Sequence, residues 1–255
     1  ALIATNTFAL SYNTHGQTGL INLPSAEVHD EQSIYLTLNR SAYSKIGTIT
    51  VTPFNWMEAS YFYYRPSDLI WGGKRGYDLD KGFNVKFIYN SKSSLIPNVA
   101  IGLDDFAGTG YFTREYVVAT NNWRYFTWTA GMGWGKYVGQ NSYKNPLTYI
   151  TNEFSVRPFE SSNLKKGGSP SYDQWFRGDV SLFGGFEYVI PKTNGIKLNI
   201  EYDPFDYNDF SALNRVDAIR ELREKKSNLN FGSHSIPYLI VKGQAVHCHN
   251  MIPYS

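Results

Sequence analysis

The sequence contains a single cysteine, Cys248, among its 255 residues. No intramolecular disulfide can form, which excludes a disulfide-stapled scaffold and leaves the compartment open. Long hydrophobic runs are also missing: no stretch reaches the ~18 apolar residues of a spanning helix, and mean hydropathy is −0.37. That excludes a helical membrane protein but not a β-barrel, whose strands conceal their hydrophobicity in alternation. Charge is sparse, at 18% of residues against about 25% in ordinary soluble domains. The net charge is only +2, so composition supports no nucleic-acid partner. There is no GxSxG, HExxH, P-loop or CxxC motif, and therefore no catalytic or cofactor expectation from motifs.

What the chain does have is aromatic residues, 16% of the total, set in period-2 alternation with almost no 3.6 periodicity. The pattern predicts strands at about 33–40, 45–52, 56–65, 82–90, 98–105, 114–120, 123–136, 177–190, 195–203 and, more weakly, from 228. In 82–90, Phe83, Val85, Phe87 and Tyr89 oppose Asn84, Lys86 and Asn90. In 195–203, Ile196, Leu198, Ile200 and Tyr202 oppose Lys197, Asn199, Glu201 and Asp203. In 123–136, Phe126, Trp128, Ala130, Met132 and Trp134 oppose Tyr125 and a run of Thr and Gly.

The links between strands alternate in length. PSDLIWGGKRGYDLD, FAGTGYFT, 137–176 and 204–227 are long; the link through Pro97, a turn at Asn121-Asn122 and PKTNG are short. SAYS at 41–44 breaks the rule by being short where a long link is due. Such alternation belongs to an up-and-down membrane barrel with short periplasmic turns and long outer loops. The expected fold is therefore all-β: an antiparallel up-and-down transmembrane β-barrel, complete or incomplete, of about ten to twelve strands. One short helix, 212–226, would sit in a long loop, supported by Glu221 four residues before Lys225.

On that scheme the lipid-facing aromatic candidates are Phe83, Trp134 and Tyr202 near the outer ends and Tyr89 and Tyr188 near the inner ends, the levels where girdles form. The polar lumen candidates are Glu58, Asn84, Lys86, Asp104, Tyr125, Glu187, Asn199 and Glu201. Glycines 131, 133 and 135 would relieve crowding or admit another segment. Residues 1–18 read as a signal-peptide remnant or a disordered N-terminus, 19–232 as the barrel domain, and 233–255 as an atypical tail, truncated or frame-shifted.

Three constellations invite a chemical reading. Val246-His247-Cys248-His249 holds soft ligands too crowded for an ordinary zinc arrangement, so no metal is expected. Asp104-Asp105 with the following glycines reads as a strand-to-loop junction, because neighbouring strand residues point to opposite faces and no helix follows to bind phosphate. A glycosidase would need two carboxyls roughly 5–10 Å apart, and Glu58, Asp104, Glu187 and Glu201 permit such a pair. Acidic residues are nonetheless expected in any wet barrel, and a non-enzymatic protein is the expectation.

Eight stretches carry a family resemblance: GLINLPSAEV (19–28), PFNWMEASYFYY (53–64), DKGFNVKF (80–87), AIGLDDFAGTGYFTREYVVAT (100–120), AGMGWGK (130–136), WFRGDVSLFGGFEY (175–188), LNIEYDPFDY (198–207) and NLNFG (228–232). In this order they resemble the N-terminal barrel of the YjbH-like exopolysaccharide biosynthesis family, from about 19 to 232. The resemblance implies an outer-membrane protein of a Gram-negative bacterium serving exopolysaccharide or group 4 capsule export, longer than this chain and with a second barrel region. The partners it implies are outer-membrane lipid and lipopolysaccharide, the insertion machinery, the polysaccharide and periplasmic secretion-pathway proteins. Two other readings stay open: a secreted soluble β-sandwich carbohydrate-binding module with its apolar faces packed together, and a surface-exposed structural or adhesion barrel.

Overall fold

Alternation over SIYLTLNR is realised in full: Ile34, Leu36 and Leu38 point one way, Tyr35 and Thr37 the other, along β1 (Ser33–Arg40). The same logic builds β2 (Ser44–Phe54), β3 (Met57–Pro66), a small separate hairpin of β4 (Ile70–Trp71) and β5 (Lys74–Arg75), then β6 (Asp80–Tyr89), β7 (Asn98–Asp104), β8 (Arg114–Trp123), β9 (Phe126–Gly133), β10 (Ser181–Val189) and β11 (Lys197–Tyr202). The computed structural model describes residues 10–40, 44–66, 70–71, 74–75, 80–108, 113–139, 141–158, 169–193, 196–205, 238–241 and 244–246.

Nine strands, β1–β3 and β6–β11, form one antiparallel meander in which each pairs with its chain neighbour. The backbones of β12 (Tyr238–Val241) and β13 (Gln244–Val246) continue it beyond β11. Among the described residues no ladder joins β1 to the far edge, so the described sheet is open and does not close into a barrel. Helical structure among the described residues is limited to 3-10 turns at Gly135–Tyr137, Pro146–Tyr149 and Asn152–Ser155. The expected helix at 212–226 and the expected strand start at 228 lie outside the described residues.

The hairpin expected at Asn121-Asn122 sits further along, at Arg124-Tyr125. Asn121 and Asn122 instead pair with Trp128 and Thr127 inside the β8–β9 ladder. Arg124 takes the left-handed conformation (φ 55°), and the two amides are used as tethers: Asn121 donates to the Ser94 carbonyl and Asn122 to Glu27. Tyr125 therefore lies in an exposed turn rather than on the lumen side. The expected strand 123–136 also ends earlier, at Gly133, because the chain turns at Gly135 (φ 64°).

The two faces of the sheet reverse the soluble rule. The face carrying Thr48, Thr50, Thr52, Glu58, Ser60, Asn84, Lys86, Asp104, Thr120, Asn199 and Glu201 is buried. The face carrying Ile34, Leu36, Leu38, Ile49, Ile101, Val117, Leu182 and Ile200 is exposed, with Leu36 at 69% and Leu38 at 79%. Residues 10–18, read above as a leader remnant or disordered end, are folded together with 19–28 against the buried face. There, Leu20, Leu23 and Ala26 complete a compact apolar cluster with Ala100, Tyr116, Val118, Tyr137 and Phe183. Leu23 is wholly enclosed, a burial that stabilises by about 1.5–3 kcal/mol.

Candidate functional site

The segment from Ser11 to Glu27 runs along the inner face and is gripped by strands from β2 to β11, so the sheet curls around it. It enters at Gly16, whose φ of 83° suits a residue without Cβ and whose backbone lies against Thr37 and Thr48. Thr48 and Thr50 donate to the carbonyls of His15 and Gly16. Thr18 then donates its N–H and its hydroxyl to Glu58, while Lys86 donates to the Thr18 carbonyl (3.1 Å). Lys86 and Glu58 form an ion pair at 3.1 Å, both fully enclosed.

Gln17 donates to Asp104 (2.6 Å), which also pairs with Arg114 (2.6 Å). Further along, the N–H groups of Ile21, Asn22 and Leu23 all converge on one carboxylate, Glu201. Carboxylates that accept several backbone N–H groups make strong, charge-assisted bonds. Ala26 donates to the Thr120 hydroxyl and Glu27 accepts from Asn122. Glu187 pairs with Lys197, and both reach Ser11.

Two groups of the segment carry the electrostatic cost of this burial. Burial pushes the His15 imidazole well below its usual range, and the neighbouring Arg114 guanidinium, 3.2 Å from its Nε2, adds to the effect. Burial also raises the Glu27 carboxyl, partly offset by the bond from Asn122.

A second insertion comes from the link 134–180. Tyr137 stacks on Phe183, meets Tyr116 edge-on and lies under the Arg114 guanidinium at 4.6 Å. Gly133 is required there, because a Cβ at that position would collide with the Tyr137 ring. The same link folds back over the start of β8 and the end of β9. Arg157 forms a two-pronged pair with Glu115 (2.7 and 2.9 Å), and Phe176 donates its N–H to that carboxylate and meets Trp134 edge-on. Trp134, expected in the lipid-facing girdle, is thus covered by its own loop and only 3% exposed.

Of the lumen candidates, Glu58, Asn84, Lys86, Asp104, Asn199 and Glu201 line the buried face and Glu187 flanks it half-buried, whereas Tyr125 does not. Asn84 donates to Ser60 and accepts the N–H of Asp105, which has left the strand with φ 52°. Of the girdle candidates, Phe83, Tyr89, Tyr188 and Tyr202 are exposed on the outer face and Trp134 is not. Each carboxylate considered as half of a glycosidase pair is engaged: Glu58 by Lys86, Asp104 by Arg114, Glu187 by Lys197 and Glu201 by backbone N–H groups. Among the described residues no group of His, Cys, Asp and Glu is placed to hold a metal ion. His247, Cys248 and His249 lie outside them.

Sequence reasoning missed the segment 10–28 as the filling of the inner face. The available signal was GLINLPSAEV, an apolar stretch that does not alternate, preceded by polar residues that match a polar wall. It also missed Arg114 and Arg157, whose partners lie 10 and 42 positions away.

Residues 11–241 match the family described as "Exopolysaccharide biosynthesis protein", beginning before and ending after the stretch 19–232. Over 230 residues the chain is 31% identical to "Uncharacterized lipoprotein YjbH" of Escherichia coli (strain K12). The alignment covers 88% of the chain and 31% of that relative, so the chain spans about a third of the relative's length. No solved structure matches the chain.

Proposed function

Because the chain belongs to the YjbH family of exopolysaccharide biosynthesis proteins, we propose that its meander is the wall of an outer-membrane β-barrel that takes part in exopolysaccharide or capsule secretion without itself catalysing a reaction. One observation carries the reading: the apolar face of the sheet is exposed and the ionic face is buried. In water an uncovered apolar face of this extent is an aggregation hazard; in lipid it is the favoured surface. Rings at the level of the short turns fit a lipid interface: Phe54 stacked on Trp56, with Tyr89 67% exposed and Trp123 beside the β8–β9 turn.

A soluble sandwich would bury these side chains between two sheets, and the described residues leave them uncovered. The carbohydrate-binding alternative therefore loses its core. The segment 10–28 fills the inner face, so the described region acts as a filled wall that presents loops at either end. The lipoprotein name of the relative fits a Gram-negative envelope, and lipopolysaccharide, the barrel-insertion machinery, periplasmic secretion proteins and the polysaccharide are the partners this reading assigns.

The test is fractionation of the full chain, expressed with an export signal, followed by electrophoresis with and without boiling. Residence in the outer membrane with a heat-dependent mobility supports the reading. A soluble product with one mobility overturns it.

A further inference from the structure

We propose that the outer face of β1–β3, at the end of the sheet shared by the long links, binds the phosphorylated glycolipid of the outer leaflet; the proposal rests on the outer-membrane reading above. Arg40 lies directly opposite Lys45, and Lys45 directly opposite Arg65, so three cations form one cross-strand row. All three are exposed on the outer face.

One row further in, Leu38, Gly47 and Tyr63 stand opposite one another, and Gly47 leaves a trough between its two larger neighbours. A groove of about 340 Å³ is lined by these residues together with the three cations, and none of its lining residues is acidic. The next row is apolar and aromatic: Leu36, Ile49 and Tyr61. Lys81, exposed and opposite Tyr63, extends the positive side.

A row of cations above an apolar trough that continues down the lipid-facing side is complementary to an amphiphile with phosphates at its head and acyl chains below. Arg guanidinium groups hold phosphate with paired hydrogen bonds. The position selects the leaflet. The row borders 41–43, at the same end as 67–79, 105–113 and 134–180, the end assigned to the outside. The opposite end of the outer face presents the rings Phe54, Trp56, Phe87, Tyr89 and Trp123, and its exposed cations, Lys92, Arg124 and Lys192, stand apart in three separate turns rather than in one row. On the outer leaflet of an outer membrane the phosphate-bearing lipid is lipid A.

The experiment uses the full chain, purified in detergent, with three probes: diphosphoryl lipid A, its dephosphorylated form and phosphatidylglycerol. Retention is read by native mass spectrometry, and heat-dependent mobility and membrane fractionation are recorded on the same preparations. We expect diphosphoryl lipid A to bind about tenfold or more tightly than the other two, since several charge-assisted bonds distinguish them. R40Q/K45Q/R65Q removes that preference, and Gly47→Leu, which fills the trough, weakens all three. Equal retention of the three lipids by the wild-type chain overturns the proposal, as does an unchanged preference in the triple variant. If the triple variant does not assemble, the wild-type comparison of phosphorylated and dephosphorylated lipid A still decides. A wild-type chain that is membrane-resident and heat-modifiable yet indifferent to phosphate overturns this site alone. A soluble wild-type chain overturns the membrane reading and this site with it.

Discussion

Lys86 and Glu58 face each other across β3 and β6, 3.1 Å apart and with no access to solvent, and both are bonded to Thr18 of the inserted segment. The pair is thus the central clamp between the wall and its filling. Removing one member of a buried pair leaves an uncompensated charge, at about 3–5 kcal/mol, whereas replacing both with apolar residues of similar size is often near neutral. Lys86→Met alone should lower the temperature at which the folded electrophoretic band is lost. Lys86→Met with Glu58→Leu should recover most of the loss in the wall but leave the Thr18 hydroxyl and N–H without their acceptor. Limited proteolysis of residues 10–28 separates the two effects: the double variant should keep a stable wall and show faster cleavage of the segment.

Glu201 makes the second clamp by accepting the N–H groups of Ile21, Asn22 and Leu23. Glu201→Ala leaves three buried donors to find other partners, each at about 1–3 kcal/mol if unmet. The segment should then exchange its amide hydrogens at 20–23 much faster while β6–β8 remain protected. Equal exchange in the variant and the wild type would mean that the segment is held elsewhere.

The orientation of the sheet predicts opposite outcomes for two neighbouring residues. Ile101 is exposed on the outer face of β7 and Ala100 is buried on the inner one. Arginine at position 101 should cost ~2–4 kcal/mol if lipid surrounds it and almost nothing if water does. Arginine at 100 should abolish assembly in either medium, since it overfills the cluster around Tyr116 and Val118. Stability of Ile101→Arg measured in bilayers by denaturant titration is the discriminating quantity. An unperturbed value would remove lipid from the outer face.

Much of this fold was legible because strand alternation is a local signal. The two faces of β6 and β11 follow from reading every second residue, which sets Phe83 and Tyr202 on one face and Lys86 and Glu201 on the other; that Lys86 and Glu201 are enclosed rather than wet does not follow from it. What escaped depends on residues distant in the chain. Trp134 has the parity of an outer-face residue, yet Phe176 covers it, and nothing within ten residues of Trp134 announces that. Asn121-Asn122 has turn chemistry, but Ser94 and Glu27 claim the amides and Arg124 makes the turn. The segment around Leu20 carries no period at all, because it is neither strand nor helix. It fits the wall through single hydrogen bonds to Glu58, Asp104 and Glu201, whose positions in space only the assembled sheet defines.

His15 gives the inserted segment a pH dependence of definite sign. Its imidazole is held well below the usual range by burial and by Arg114, whereas in a released segment it would titrate near the model-peptide value of about 6.5. A group with a depressed folded value contributes stability that is complete above its free value and is lost as pH falls below it. Docking should therefore be unchanged from neutral pH down to about 6.5 and should weaken progressively with further acid. Glu27 works the other way, since its raised carboxyl favours docking as pH falls toward its ordinary range. His15→Gln isolates the first effect: it should flatten the acid-induced rise in amide exchange at 16–19 between pH about 6.5 and 5 while leaving the Glu27 contribution in place. An acid-induced rise of the same size in His15→Gln would assign the dependence to the carboxylates of the wall instead.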